Sequence, residues 1–204
     1  MNYYGHTNRA EKGDSLPEDT WQNLRDHLQN VATLAAGFAK PFDAVADACL
    51  AGLLHDLGKY AERFQLRLRD PSVCGINHWS IGALQARKML ALGSAFAIEG
   101  HHTGMPALLE DDPIAGLESL KSRLDRLESN HARELNGFTE SLSELLQRHQ
   151  AENPKLCCPP KKSTRRDFKT AFGIRMLFSA LVDADYLDTE SHFSPDLAGA
   201  RGSL

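Results

Sequence analysis

Apolar residues recur every three or four positions along most of this chain. Trp21, Leu24, Leu28, Val31, Leu34, Ala35 and Phe38 share one helical face, which predicts a helix over roughly residues 18–40, begun at Pro17 and ended at Pro41. Asp43 is placed to cap a second helix running to about Leu57. That helix is apolar nearly all round, through Val45, Ala46, Cys49, Leu50, Leu53 and Leu54, as a central buried helix must be. Gly58 reads as its stop. A third helix is expected from Lys59 to Arg69, halted at Asp70-Pro71, and a fourth capped by Asn77 with His78 in its first turn.

Further on, Leu117, Leu120, Leu124 and Leu127 make one stripe, and Leu135, Phe138, Leu142, Leu145 and Leu146 another. With a break near Asn130, residues 113–150 read as a helical hairpin. Residues 151–166 are a basic loop by composition, residues 167–188 an apolar last helix, and residues 191–204 a flexible tail or linker. No internal repeat and no convincing strand stand out, so the expected fold class is all-α.

The 204 residues suit one domain, and 42% hydrophobic content supplies a sizeable core. No apolar run reaches the roughly 18 residues of a membrane span, so no membrane partner is expected. The start of the chain lacks a signal-peptide apolar core. Cys49, Cys74, Cys157 and Cys158 contain no C-x-x-C pair, which argues against a structural zinc site and for reduced thiols in a cytoplasmic protein. A net charge of −4 excludes a generally basic nucleic-acid binder and leaves room for a local basic patch.

The chemistry concentrates in an ordered set: His27, the doublet His55-Asp56 among leucines, His78, the doublet His101-His102, and an aspartate late in the last apolar segment. A carboxylate buried among leucines must be paired or bind a metal. Neighbouring helical residues diverge by about 100°, so the first doublet can serve one metal with each side chain, or let Asp56 bridge both. Such a set is what a two-metal phosphoesterase needs. Its imidazole content favours transition metals over Mg, which prefers oxygen ligands. Asp183 and Asp185 differ by about 200° around a helix, so one site would use only one of them, and the spacing leaves open which. Asp188 lies on the Asp185 side but near the helix end, where solvation explains it. Lys59 can bind a phosphate near the metals or face solvent. Lys161, Lys162, Arg165 and Arg166 could meet a phosphate backbone. His131, His149 and His192 read as solvated or tail residues, whereas His6, in Tyr-Tyr-Gly-His, is left open as a neighbour of the site.

These residues resemble the HD superfamily of metal-dependent phosphohydrolases, and more narrowly the HD nuclease domain of the CRISPR-associated nuclease-helicase of type I systems. The resemblance is carried by Tyr4-Gly5-His6, Trp21 with Asp26-His27-Leu28, Leu53 to Lys59, His78 with Ser80 and Gly82-Ala83, Gly100-His101-His102, and the run from Leu181 to Glu190. It implies an HD-domain helical bundle over residues 1–190 around a dinuclear metal site. One metal would take His27, His55, Asp56 and Asp185. The other would share Asp56 and add His78, His101 and His102. Asp185 is preferred to Asp183 because an aromatic residue follows it, and Lys59 and Asp56 are the implied catalytic residues.

The implied activity is cleavage of single-stranded DNA in CRISPR type I interference with two divalent transition-metal ions, Mn, Fe, Co or Ni ahead of Mg or Zn. The implied partners are single-stranded DNA, a helicase fused or separate, and the CRISPR surveillance complex. The chain has no Gly-x-x-x-x-Gly-Lys-Ser/Thr loop of its own. The alternative reading is an HD phosphohydrolase of nucleotides or cyclic dinucleotides.

Overall fold

Strand β1 (Tyr4–His6) pairs antiparallel with the two-residue strand β2 (Gln22–Asn23), directly ahead of helix α1 (Leu24–Phe38). The computed structural model describes residues 2–8, 16–107, 110–112, 116, 118–130, 139–153 and 171–201. In it α1 starts well after Pro17, because Asn23 sets its origin. The Asn23 side chain accepts from the backbone N–H groups of Arg25 and Asp26, two donors that a helix start leaves free. The strand pair departs from the strand-free expectation: elements this short carry no alternation for a sequence reading to detect.

Among the described residues the remaining α-helices are α2 (Val45–Leu54), α3 (Glu62–Arg69), α4 (Ser80–Lys88), α5 (Leu92–Thr103), α6 (Leu120–Ser129), α7 (Leu142–Glu152), α8 (Ala171–Phe193) and α9 (Pro195–Ala200). The protein is mostly helical. Helix α2 is central as its apolar surface implies, packed against α1, α4, α5 and α8. Leu24, Leu28, Leu50, Leu54, Leu57, Ile81 and Ile98 are fully buried around it. Burial of each such side chain is worth about 1.5–3 kcal/mol. No helix among the described residues is long and apolar enough to cross a membrane.

Several boundaries differ from the expected ones, each for a local reason. Asp43 does not cap α2: it adopts a left-handed conformation with φ 59° at the end of the Lys40–Phe42 turn, and α2 has no side-chain cap. Helix α2 ends at Leu54, so the doublet lies just beyond it, followed by a tight turn at Leu57–Tyr60 and then α3. His78 precedes α4 instead of occupying its first turn, and the N-cap is Trp79, while Asn77 Oδ1 accepts from Trp79 N and Ser80 N just ahead of the helix.

Asn130 ends α6 as expected, and the segment packs on the core in two places, α6 on α4 and α7 on the Leu57–Tyr60 turn. Leu117, Leu135 and Phe138 lie outside the described residues, as do Lys161, Lys162, Arg165, Arg166, His131, Cys157 and Cys158. The expected flexible tail is helical as far as Ala200: α8 continues to Phe193, and Arg201 pairs with Glu190 at 2.9 Å. Cys74 is a free, exposed thiol.

Candidate metal centre

Five parts of the chain deliver imidazole and carboxylate groups to one place. His27 comes from α1, His55 and Asp56 from the link just after α2, His78 from the loop before α4, His101 and His102 from the last turn of α5, and Asp185 from α8. All of the expected ligand residues are therefore brought together. Of the two aspartates that spacing left open, Asp183 is exposed on α8 and Asp185 faces the cluster.

Asp56 sits at the centre, with its two oxygens turned to different histidines. Its Oδ2 lies 3.5 Å from His27 Nε2 and 3.3 Å from His55 Nε2, while its Oδ1 lies 3.4 Å from His78 Nε2. Asp185 Oδ1 closes the first side, 3.4 Å from His27 Nε2 and 3.8 Å from His55 Nε2. On the second side His78 Nε2 and His102 Nε2 are 3.0 Å apart. His101 departs from the implied partition. Its ring contacts both His55 and His102, but its ligand atom groups with His55 and Asp185, so it stands between the two sides.

The rings are fixed from behind. His55 Nδ1 meets Gly52 O at 2.8 Å, His101 Nδ1 meets Ile98 O at 2.6 Å, and His27 Nδ1 meets Asp188 Oδ2 at 2.7 Å. A carbonyl or carboxylate takes the Nδ1 proton, which leaves Nε2 as a lone pair aimed at the cluster. His27 Nε2 and His55 Nε2 then face each other at 3.2 Å, two acceptors with nothing between them unless a proton or a cation lies there. Two nitrogens about 2.1 Å from one metal and about 90° apart stand about 3.0 Å from each other. His101 Nε2 and Asp56 Oδ1 are buried without a hydrogen-bond partner. Orphaned lone pairs, facing acceptors and a divided carboxylate fit divalent cations.

Electrostatics differ between the two sides, and the first side calls for positive charge among its carboxylates. Burial disfavours charge on His27 and His55, but hydrogen bonds and attraction from Asp185, Asp188 and Asp56 lift His27 to about 10, and Asp56 and Asp185 lift His55 to about 9. Burial would raise Asp56, yet Lys59, His55 and His27 hold it well below the ordinary carboxylate range. On the other side burial dominates, and His78, His101 and His102 are all lowered, His101 to about 3. Neutral imidazoles are the form that binds metal.

Lys59 is buried at 3% exposure, not solvated as its position near a helix end allowed. Its Nζ lies 2.5 Å from Asp56 Oδ2 and 3.2 Å from His6 Nε2. His6, left open by the sequence, stacks edge-on against His27 with ring centroids 4.9 Å apart, and burial with the Lys59 charge lowers it to about 2. Gly58 is not a helix stop. Its N–H donates to His78 O at 2.9 Å, and a Cβ there would stand 2.5 Å from that oxygen, so glycine lets the two ligand-bearing segments touch. Asp188 is the residue sequence reasoning passed over. It is buried, and its Oδ2 also accepts from Gln22 Nε2 at 2.7 Å. The available signal was its i+3 spacing from Asp185 on one helix face.

The family model for the HD domain matches residues 24–130, a little over half of the chain. The chain belongs to the HD-domain family. HD domains make up the metal-dependent phosphohydrolase superfamily, so the chain is an HD-family phosphohydrolase whose clustered His and Asp groups suit divalent metal ions. The matched stretch holds the HD doublet and every histidine of the cluster except His6, while Asp185 and Asp188 lie beyond it on α8. A search of curated proteins returns no match.

Proposed function

We propose that this HD phosphohydrolase is a two-metal nuclease that cleaves single-stranded DNA, of the kind that works with the helicase and surveillance complex of type I CRISPR systems. In this reading His27, His55, Asp56 and Asp185 hold one cation and Asp56, His78 and His102 the other, with His101 between them. The observation that carries the metal reading is the divided carboxylate of Asp56, one oxygen toward His27 and His55 and the other toward His78. A bridging carboxylate of this kind holds cations about 3.5–4 Å apart in two-metal phosphoesterases. The substrate reading rests on the motif set that resembles those nucleases, above all Gly100-His101-His102 and the run from Asp183 to Glu190.

Bound cations would supply an activated water and neutralise charge on the phosphate. The chain's own groups do the rest. The Asp188 carboxylate and the Gly52 and Ile98 carbonyls hold three imidazoles in the tautomer that offers Nε2. Lys59 keeps Asp56 charged and oriented, and its ammonium borders an open cleft of about 610 Å³ with His6, His78 and His102, where it can take a non-bridging phosphate oxygen. With so many imidazole ligands, Mn, Fe, Co or Ni should support activity better than Mg.

Asp56→Ala should abolish metal-dependent cleavage of circular single-stranded DNA while the variant stays folded. Cleavage at the wild-type rate would remove the site assignment. A parallel panel of mononucleotides and cyclic dinucleotides decides the substrate: turnover of those with no action on DNA would replace the nuclease by a small-molecule phosphohydrolase.

A further inference from the structure

The cleft beside the metal centre carries a charge pattern that the metal chemistry does not use. It is walled on one side by α3, through Phe64, Arg67 and Leu68, and no acidic residue among the described ones lines it. That is notable in a chain of 27 acidic and 23 basic residues with a net charge of −4. Most described arginines are spoken for: Arg69 pairs with Glu18, Arg87 with Asp125 and Glu128, Arg123 with Glu99, and Arg148 with Glu140 and Glu62. On α3, neither Arg63 nor Arg67 has a carboxylate within ion-pair distance among the described residues, and both are exposed. Like charges four apart on a helix repel, costing about 0.2–0.5 kcal/mol. Arg63 lies outside the cleft, about 6 Å along the helix axis from Arg67. The positive charge therefore runs outward from the cleft instead of closing round a single phosphate.

We propose that α3 is a rail for the backbone of a single-stranded DNA, with Arg67 holding a phosphate inside the cleft and Arg63 the next contact outside it. The proposal rests on the nuclease reading for the identity of the polyanion. Phe64, Leu68 and Ile76 supply the apolar part of the same wall, against which sugars and bases can lie.

The test is fluorescence anisotropy of a labelled phosphorothioate oligothymidine, which keeps its charges and resists hydrolysis, bound to the full chain over a salt series. Arg67→Ala should weaken binding about tenfold and flatten the dependence of log K on log salt by about 0.7, one phosphate contact on a single strand. Arg67→Lys should recover most of the affinity. Arg63→Ala should show a smaller change of the same kind. The thermal midpoint of each variant should match wild type, because both side chains are exposed. Wild-type affinity and salt slope in the Arg63→Ala, Arg67→Ala double variant would overturn the rail, as would failure of wild type to bind the strand. If the strand binds through these arginines but no DNA is cut, the nuclease reading fails and the rail stands. If DNA is cut and the double variant is unchanged, the reverse holds.

Discussion

Asp188 controls how His27 meets a cation. Its Oδ2 sits 2.7 Å from His27 Nδ1, and Gln22 Nε2 donates to the same oxygen at 2.7 Å, so carboxylate and imidazole are both held. Removing such a support costs about 10–100-fold in metal affinity elsewhere. Asp188→Ala should weaken Mn binding by that order in a calorimetric titration, with Asp188→Asn between it and wild type. Equal affinities would mean that the bond only helps packing. The cluster residues themselves were legible because their types and order were unusual: an aspartate beside a histidine among leucines is tolerable only when it is paired or holds a metal. Asp188 read as solvated near a helix end and His6 was only left open as a neighbour of the site, since each is polar at an ordinary position. Their burial depends on α8 lying against α1 and on β1 crossing in front of His27, and neither meeting is written in local sequence.

Helix α7 acts as a brace behind the first doublet. His149 Nε2 donates to Leu53 O at 2.8 Å, Arg148 to Tyr60 O at 2.8 Å, and Tyr60 Oη to Glu152 at 2.8 Å. These bonds hold both ends of the stretch that carries His55, Asp56 and Lys59. The sequence placed this helix correctly, from a stripe through Leu142, Leu145 and Leu146, but read His149 as solvated. It is fully buried, because the polar residues around it on α7 face outward while its own ring packs on Tyr60. Burial lowers its pKa below the ordinary 6.5, with Nδ1 left unpartnered. The unfolded chain then takes up the proton first as pH falls. The contribution is intact above about 6.5 and is lost as pH drops below that value toward the folded pKa, by at most about 1.4 kcal/mol per pH unit. His149→Gln keeps a donor for Leu53 O without titrating. Its urea midpoint should therefore decline less than that of wild type between pH 7 and pH 5.5. Parallel declines would show that His149 is already protonated in the fold.

At the scale of the whole molecule, the bundle closes around a set of groups that cannot satisfy one another. The helical architecture was readable from periodicity, and the family from the doublets, but the balance of charge at the centre emerges only when five segments meet. His27 and His55 present facing lone pairs at 3.2 Å, the Nε2 atoms of His78 and His102 approach to 3.0 Å, and His101 Nε2 has no partner. Without cations the fold holds these contacts by taking up protons, as the raised pKa values of His27 and His55 allow, or by spreading the segments apart, and the buried His101 Nε2 stays unpartnered either way. Cations that bind only the folded chain add RT ln(1 + [L]/Kd), about 2.7 kcal/mol at a hundred times Kd. Exhaustive chelation should thus lower the thermal midpoint by several degrees, and added Mn, Co or Ni should restore it. Asp56→Ala should show no such recovery, because it removes the one group shared by both sides. A chelator-treated wild type that melts where the metal-loaded protein does would mean that the cluster is satisfied by protons alone, and the two-cation reading would fall with it.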